Sequence, residues 1–163
     1  MTSEPISEKH FAELIGRHSG IINKVSYFYA TDRMPYEDMR QEIYAGLWKA
    51  LPKFRGECSM KTWIYRVAVN SALMAIRSTK QKSTTVSIDI ADLNLSTEPE
   101  DELKENILEL YAMINQLEYI DKAIILLWLD EFSYQEIADT LGLKRGTIAT
   151  RIFRIKEKLS KSF

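Results

Sequence analysis

The sequence predicts an all-α protein of two small helical domains joined by a flexible acidic linker, with a helix-turn-helix in the C-terminal domain. Apolar residues recur at spacings of three and four, the period of one helix face, through both halves of the chain. Between the halves lies a Ser/Thr-rich stretch of about twenty residues without that period, too long for an ordinary loop inside one compact domain. We therefore expect domains over residues 1–80 and 103–163, with a linker over 81–102.

The N-terminal domain is expected to contain four helices. Ser7 can cap the first helix, and Gly20 should break the chain after it. The second helix covers residues 21–29. The third and fourth, over residues 36–51 and 61–79, are joined by a short loop and form the most informative stretch of the chain.

The third helix has two unlike faces. Its apolar face should be buried and consists of Tyr36, Met39, Ile43 and Leu47. The opposite face is polar and flat, and should stay exposed: Asp38, Gln41, Glu42, Ala45 and Lys49. Trp48, at the margin of this polar face, fits either the core or an exposed anchor, and core is the commoner role for an aromatic residue at helical spacing.

The fourth helix also divides its residues by face. Its buried stripe is predicted to consist of Ile64, Val67, Ala68, Ser71 and Ala75. A different, exposed face carries Trp63, Arg66, Asn70 and Arg77. An aromatic ring, two arginines and an amide on one face can stack on bases, pair with phosphates and contact base edges. The preceding loop, residues 52–60, contains an aromatic residue, a glycine and a serine, and can enclose a small group.

The net charge of −1 conceals an uneven distribution of charge. Residues 49–82 contain eight basic residues and one acid, and residues 141–163 contain seven basic residues and one acid. Residues 86–109, between them, contain eight acids and one basic residue. Solvated helix faces are the ordinary explanation of a single charged run. Here both basic blocks coincide with motifs, so the pattern favours two polyanion-binding surfaces and a linker.

The sequence of the linker is compatible with more than one conformation. The alternation of apolar and polar residues over 86–90 fits a strand, an extended segment that docks on a partner, or simple disorder. Because no second strand is available to pair with it, docking is favoured over a strand.

Composition also limits the function. The single cysteine, Cys58, excludes an internal disulfide and a Cys-based metal cluster, and the only histidines, His10 and His18, lie far from it in sequence. Without a phosphate loop, a metal-ligand cluster or a nucleophile–base arrangement, we expect no enzyme, metal or cofactor. The N-terminus lacks a signal-peptide pattern, and the longest apolar run, residues 123–129, is too short to span a bilayer. We expect a cytoplasmic protein without membrane insertion.

The C-terminal domain is expected to contain four helices, over residues 100–116, 121–129, 133–141 and 145–159. The last two form a helix-turn-helix candidate, with an ordinary helical hairpin as the alternative. Such a motif needs a defined helix start, a small residue at the crossing, a glycine turn and an inward apolar residue. The chain supplies Ser133 with Glu136, Ala138, Gly142 and Ile148.

The last helix separates an apolar stripe from a basic face. The stripe consists of Ile148, Ile152, Ile155 and Leu159. The other face carries Thr147, Thr150, Arg151, Arg154 and Lys158. Short hydroxyl residues followed by cations suit a helix start that enters the major groove of DNA. Arg151, one turn into the helix, is expected to contact base edges, and Arg154, a turn later, phosphate.

Two long stretches resemble the extracytoplasmic-function (ECF) sigma factors, the compact promoter-recognition subunits of bacterial RNA polymerase. DMRQEIYAGLWKALPKFRG followed by WIYRVAVN resembles their conserved N-terminal domain, and SYQEIADTLGLKRGTIATRIFRIKEKL their C-terminal domain. The chain departs from the family pattern at Glu118, where Pro is usual, near Lys122, where Arg is usual, and at Met74, where Asp is frequent. A stand-alone helix-turn-helix regulator is the alternative, but it leaves residues 38–77 unexplained.

The resemblance implies three binding surfaces and the function of a sigma factor, which binds core polymerase and directs promoter-specific initiation. The clamp helices of the polymerase beta-prime subunit are expected on Asp38, Gln41, Glu42, Ala45, Trp48 and Lys49. The minus-ten promoter element, with a base flipped from the melted strand, is expected at Phe54, Arg55, Gly56, Ser59, Trp63, Arg66, Asn70 and Arg77. The minus-thirty-five element is expected at Lys144, Arg145, Thr147, Thr150, Arg151, Arg154 and Lys158. The polymerase beta flap and an anti-sigma factor are further implied partners.

Overall fold

The computed structural model describes residues 7–79 and 101–161, with residues 101–104 described as backbone only. The chain divides after Asn94 into two compact units, called here the N-terminal unit and the C-terminal unit. Every regular element within the described ranges is a helix, which confirms the predicted all-α class. The predicted linker conformation, including the alternation over 86–90, lies outside the described residues.

The described part of the N-terminal unit contains four α-helices: α1 Glu8–Arg17, α2 Ser19–Tyr29, α3 Tyr36–Ala50 and α4 Met60–Thr79. A short 3₁₀ turn, Leu51–Lys53, follows α3. Ser7 caps α1 as predicted, because its Oγ accepts a hydrogen bond from the His10 N–H at 3.2 Å.

The predicted break at Gly20 is wrong. The chain turns at His18, whose N–H donates to the Ile15 carbonyl and ends α1, and Gly20 lies in the first turn of α2. The reason is that the N–H groups of Ile21 and Ile22 donate to the His18 carbonyl and start α2 across Gly20, while a glycine within a helix costs only about 0.5–1 kcal/mol.

The core of the N-terminal unit lies between α2, α3 and α4. The predicted apolar face of α3 is buried throughout, and α2 contributes Ile22, Val25, Phe28 and Tyr29. α3 and α4 lie close together at Gly46. A Cβ on Gly46 would overlap the Ser71 Oγ and lie 3.1 Å from the Ser71 Cβ, so a larger residue would force Ser71 to shift.

The predicted buried stripe of α4 is partly wrong. Ile64, Ala68 and Ala75 are buried, but Val67 and Ser71 are half-exposed. The core additionally contains Tyr65, Val69, Ala72 and Ile76. The reason is that α4 packs against α2 as well as α3, so its buried surface is wider than one helical stripe.

The described part of the C-terminal unit also contains four α-helices: α5 Asp101–Asn115, α6 Tyr119–Leu129, α7 Tyr134–Leu141 and α8 Arg145–Ser160. Its core is built around α6, where residues 122–127 are all buried. Ile137 of α7 packs into this core with the predicted α8 residues Ile148, Ile152 and Ile155.

The turn between α7 and α8 follows the predicted chemistry. Ser133 and Glu136 form the capping box, with hydrogen bonds of 3.1 and 2.8 Å between each side chain and the other residue's N–H. Gly142 ends α7 with φ of 69°, the left-handed conformation that glycine adopts at low cost. Within the described ranges, no helix is both long and apolar enough to cross a membrane.

Candidate protein and nucleic-acid interfaces

The predicted polar face of α3 is exposed along its whole length. All six residues are exposed: Asp38, Gln41, Glu42, Ala45, Trp48 and Lys49. Trp48 is 43% exposed, and its ring meets Phe11 of α1 edge-on, with ring centroids 4.9 Å apart. The two roles considered for Trp48 therefore coexist, because one side of the ring packs inward while the rest faces solvent.

A groove of about 530 Å³ runs along the α3–α4 junction. Glu42, Ala45 and Lys49 line it from α3, and Asn70 and Met74 line it from α4. Met74 is 67% exposed, which is unusual for so apolar a side chain. Sequence reasoning did not identify Met74 as a candidate, although its phase outside the buried stripe was a usable signal.

A second, smaller pocket of about 170 Å³ lies at the loop before α4. The rings of Phe54 and Trp63 pack with centroids 5.2 Å apart, and Arg55 and Arg66 lie around them. Gly56 turns the loop with φ of 75°. The predicted minus-ten residues Phe54, Arg55, Trp63 and Arg66 are thus brought together at an aromatic and basic site.

The other minus-ten candidates lie elsewhere, and Trp63 is less accessible than predicted. Trp63 is only 8% exposed, and its ring packs against that of Phe54. Asn70 lines the α3–α4 groove instead of the loop pocket. Ser59 directly precedes α4, and its Oγ accepts a hydrogen bond from the Thr62 N–H at 3.1 Å. Arg77 is exposed, but it follows Arg66 by about 16 Å along the helix axis.

The predicted basic face of α8 is exposed except at one residue. Lys144, Arg145, Thr147, Thr150, Arg154 and Lys158 are exposed. Thr150 donates a hydrogen bond from its Oγ1 to the Gly146 carbonyl at 3.0 Å. An open groove of about 610 Å³ follows this face, and Glu118 and Asp121 of the opposite wall also line it.

The start of α8 is arranged unusually for a helix. Its first turn contains no acidic residue, Lys144 occupies the capping position without a side-chain cap, and Arg145 follows. Cations at this end oppose the helix dipole and cost a few tenths of a kcal/mol each, roughly. Uncapped N–H groups beside two cations suit a bound anion such as a phosphate.

Arg151 is the exception on α8. Its Nη1 donates to the Asp121 Oδ1 at 2.8 Å, and the two side chains are 36% and 13% exposed. Asp121 belongs to the first turn of α6, thirty positions earlier in the chain. The predicted base-contacting arginine is therefore engaged within the protein.

Phe153 is a candidate that sequence reasoning missed. Its ring is 64% exposed in the middle of α8, between Thr150 and Arg154 on the side away from the core. An exposed phenylalanine can contact a thymine methyl group in the major groove. Its phase opposite Ile148 and Ile155 was the signal that could have identified it.

Among the described residues of the C-terminal unit, one charged side chain is buried in the core. Lys122 is 3% exposed, and its Nζ lies 5.6 Å from the centre of the Tyr119 ring. Burial lowers the pKa of the Lys122 ammonium from 10.5 to about 8. Among the described residues, no cluster of His, Cys, Asp and Glu side chains could hold a metal ion.

Comparison with known proteins identifies both halves of the chain. Residues 14–82 match Sigma-70 region 2, and residues 107–159 match Sigma-70 region 4. An ECF RNA polymerase sigma-E factor of Escherichia coli (strain K12) is 30% identical over 165 residues, covering 93% of this chain and 85% of that protein. The sigma-E factor of Haemophilus influenzae is 29% identical over 164 residues, covering 93% and 86%.

The fold agrees with a solved sigma factor as well. The RpoE sigma factor from Bartonella quintana, crystallised with the anti-sigma factor NepR, has a TM-score of 0.71 at 20% identity, covering 94% of this chain and 96% of that one. Two regions in sigma order on an all-α scaffold define a promoter-specificity subunit. The chain belongs to the ECF family of RNA polymerase sigma factors, which direct transcription initiation and are not themselves catalytic. The alternative interpretation, in which residues 133–159 belong to a stand-alone helix-turn-helix regulator, is therefore rejected.

Proposed function

We propose that this sigma factor binds polymerase and promoter DNA through three separate surfaces. The polar face of α3 binds the clamp helices of the polymerase beta-prime subunit, the loop pocket with the basic face of α4 binds the minus-ten element, and α8 binds the minus-thirty-five element. The observation that carries this proposal is the uninterrupted exposure of six α3 residues on a helix whose opposite face is fully buried. Such a face is complete and accessible without any change in the core.

The partner of the α3 face is expected to be basic or amide-bearing. Asp38 and Glu42 supply negative charge, and Ala45 keeps the surface flat enough for a helix to lie across it. Trp48 supplies an aromatic anchor that Phe11 already holds on one side, so less side-chain freedom is lost on binding. The adjoining groove extends this surface to Asn70 and Met74.

The minus-ten element is assigned to the loop pocket because Phe54 can stack on an unpaired base while Arg55 and Arg66 pair with its flanking phosphates. Gly56 and Ser59 shape the loop around the pocket, whereas Arg77 extends the basic face along α4. The Trp63 ring packs against Phe54 and is itself largely buried, so its role is to support Phe54.

The minus-thirty-five element is assigned to the face of Lys144, Arg145, Thr147, Thr150, Arg154 and Lys158, with Phe153 among them. The uncapped basic start of α8 favours this helix over the other helices of the unit. The polymerase beta flap is assigned to the C-terminal unit by family resemblance.

An anti-sigma factor is a proposed further partner, because the fold-related Bartonella quintana protein is crystallised with one. The three exposed surfaces are the natural targets of such an inhibitor, since covering them blocks assembly of the holoenzyme. We place the protein in the cytoplasm, where polymerase acts. Affinity purification of the tagged chain from its own cells tests the anti-sigma partner, and this proposal fails if no partner competes with core polymerase. Cell fractionation tests the location, and this proposal fails if the chain fractionates with membranes.

The test of the α3 assignment is a charge reversal, Glu42→Lys. Because Glu42 is exposed opposite the buried face, the variant should fold normally. It should lose core-polymerase affinity by about tenfold or more, since like charges across an interface are costly. Glu13→Lys on α1 makes the same charge change at another exposed position and should bind normally. Equal core binding by both variants would overturn the assignment.

A further inference from the structure

Arg151 occupies the flank of α8, between the core and the exposed face. Ile148 precedes it by three residues and Ile155 follows it by four, so its neighbours toward the core are buried. On the other side, Thr147 precedes it by four residues and Arg154 follows it by three, and both are exposed. From this border position, the contact with Asp121 directs the Arg151 side chain toward α6.

The ion pair between Arg151 and Asp121 is partly shielded from water. The Asp121 carboxylate is 13% exposed, and its place in the first turn of α6 favours its negative charge through the helix dipole. A charge-assisted hydrogen bond of 2.8 Å in such a setting is stronger than one between neutral groups or fully exposed ions. The positive charge of Arg151 is therefore offset within the protein by the Asp121 carboxylate.

The groove beside α8 is consequently less basic than its arginines suggest. Arg151, Arg154 and Lys158 line it together with the carboxylates of Glu118 and Asp121. Each carboxylate repels a DNA phosphate, and Asp121 in addition accepts a hydrogen bond from the Arg151 Nη1 and offsets its charge.

We infer that Asp121 is a positioning residue that withholds Arg151 from the DNA backbone and keeps the sequence-independent share of upstream-element binding low. The inference rests on the proposed function of α8 and revises the predicted role of Arg151. Phosphate contacts supply affinity without sequence information, so each contact that is withheld weakens binding to all sequences alike. Sequence preference is then left to residues such as Thr150 and Phe153.

The experiment compares holoenzymes reconstituted with the wild-type chain and with Asp121→Asn. Anisotropy titrations use two duplexes, one carrying an upstream element selected by the wild-type holoenzyme and one with that element scrambled, at several salt concentrations. Asp121→Asn should tighten binding to both duplexes about fivefold at 0.15 M salt. It should also steepen the salt dependence by about 0.9, the contribution of one added phosphate contact.

Three further variants isolate the cause. Arg151→Ala in the wild-type background should change neither duplex by more than about twofold, and in the Asp121→Asn background it should remove the added salt slope. Glu118→Gln removes a carboxylate from the same groove and measures the through-space effect alone. Asp121→Glu retains the charge and should behave as wild type. If Asp121→Asn fails to fold, Asp121→Ser removes the same charge with a smaller side chain.

Two results would overturn the inference. One is that Asp121→Asn weakens binding or relaxes base preference at one position, as Arg151→Ala would if Arg151 contacted a base. The other is that Asp121→Asn leaves affinity and salt slope unchanged, in which case the pair only joins α6 to α8. If the wild-type holoenzyme itself does not distinguish the two duplexes, the proposed role of α8 fails, irrespective of Asp121.

Discussion

Replacing Lys122 with methionine should stabilise the C-terminal unit. Lys122 is 3% exposed, and burial lowers its pKa from 10.5 to about 8. Each pKa unit corresponds to about 1.4 kcal/mol, so keeping the ammonium charged in the folded state at pH 7 costs about 3 kcal/mol. Methionine has a similar length and no charge. Lys122→Met should therefore raise the free energy of unfolding at pH 7 by about 1–3 kcal/mol, the lower figure allowing for imperfect packing.

The same residue sets a pH dependence whose sign is fixed. The folded-state pKa lies below the unfolded one, so between pH 8 and 10.5 the unfolded chain binds more protons than the folded chain. The cost is fully present below about pH 8 and disappears as the pH rises toward 10.5. Wild-type stability should consequently gain a rising contribution across this window, and Lys122→Met should lack it.

The measurement is urea unfolding followed by hydrogen exchange in the α6 segment, Tyr119–Leu129, which reports on the C-terminal unit alone. Lys161→Met, at an exposed position of the same unit, is the matched control and should change stability little. A loss of more than about 1 kcal/mol in Lys122→Met at pH 7 would refute the reasoning. It would mean that the ammonium's interactions within the fold outweigh its desolvation.

Further outcomes are expected for other substitutions. Gly46→Ala should cost about 1–3 kcal/mol in urea unfolding, and Ser71→Ala should partly relieve it by removing the overlapping Oγ; an unchanged stability contradicts the close approach. Phe54→Ala should reduce permanganate-detected promoter melting while core binding is retained, and normal melting with this variant counts against the loop pocket. Asn70→Ala should instead reduce core binding, because Asn70 lines the α3–α4 groove. Arg154→Ala should weaken binding to all upstream sequences about fivefold at 0.15 M salt and flatten the salt slope by about 0.9, and a loss confined to one base position argues against a phosphate contact.

Sequence periodicity predicted α3 more completely than α4, and the difference is physical. α3 buries one face only, so Tyr36, Met39, Ile43 and Leu47 follow a single helical stripe and the exposed face follows by subtraction. α4 is covered from two sides, which buries Tyr65 as well and pulls Trp63 out of the exposed face. The residue pattern along one helix does not indicate how many other helices pack against it.

The predicted DNA-contacting residues divide along the same line. Angular position on α8 was enough to predict that Thr147, Thr150 and Arg154 are exposed. It could not predict the fate of Arg151, because the partner Asp121 comes from another helix thirty positions earlier. Asn70 likewise shares the predicted α4 face with Trp63 and Arg66, yet it lines the groove shared with α3. Residues at the border between faces are those for which the neighbouring helix decides.

The three proposed surfaces also differ in what holds them in place, and this orders their sensitivity to mutation. The α3 face is fixed by buried residues on its own helix, so a core substitution that leaves α3 folded leaves the face intact. The loop pocket depends on the contact of Phe54 with Trp63, on the hydrogen bond from the Phe54 N–H to the Leu51 carbonyl, and on the left-handed turn at Gly56, where a Cβ would be strained. Single substitutions outside the direct contacts should therefore impair promoter melting sooner than polymerase binding, because the pocket is built on a loop and the polymerase-binding face on a helix with a buried side.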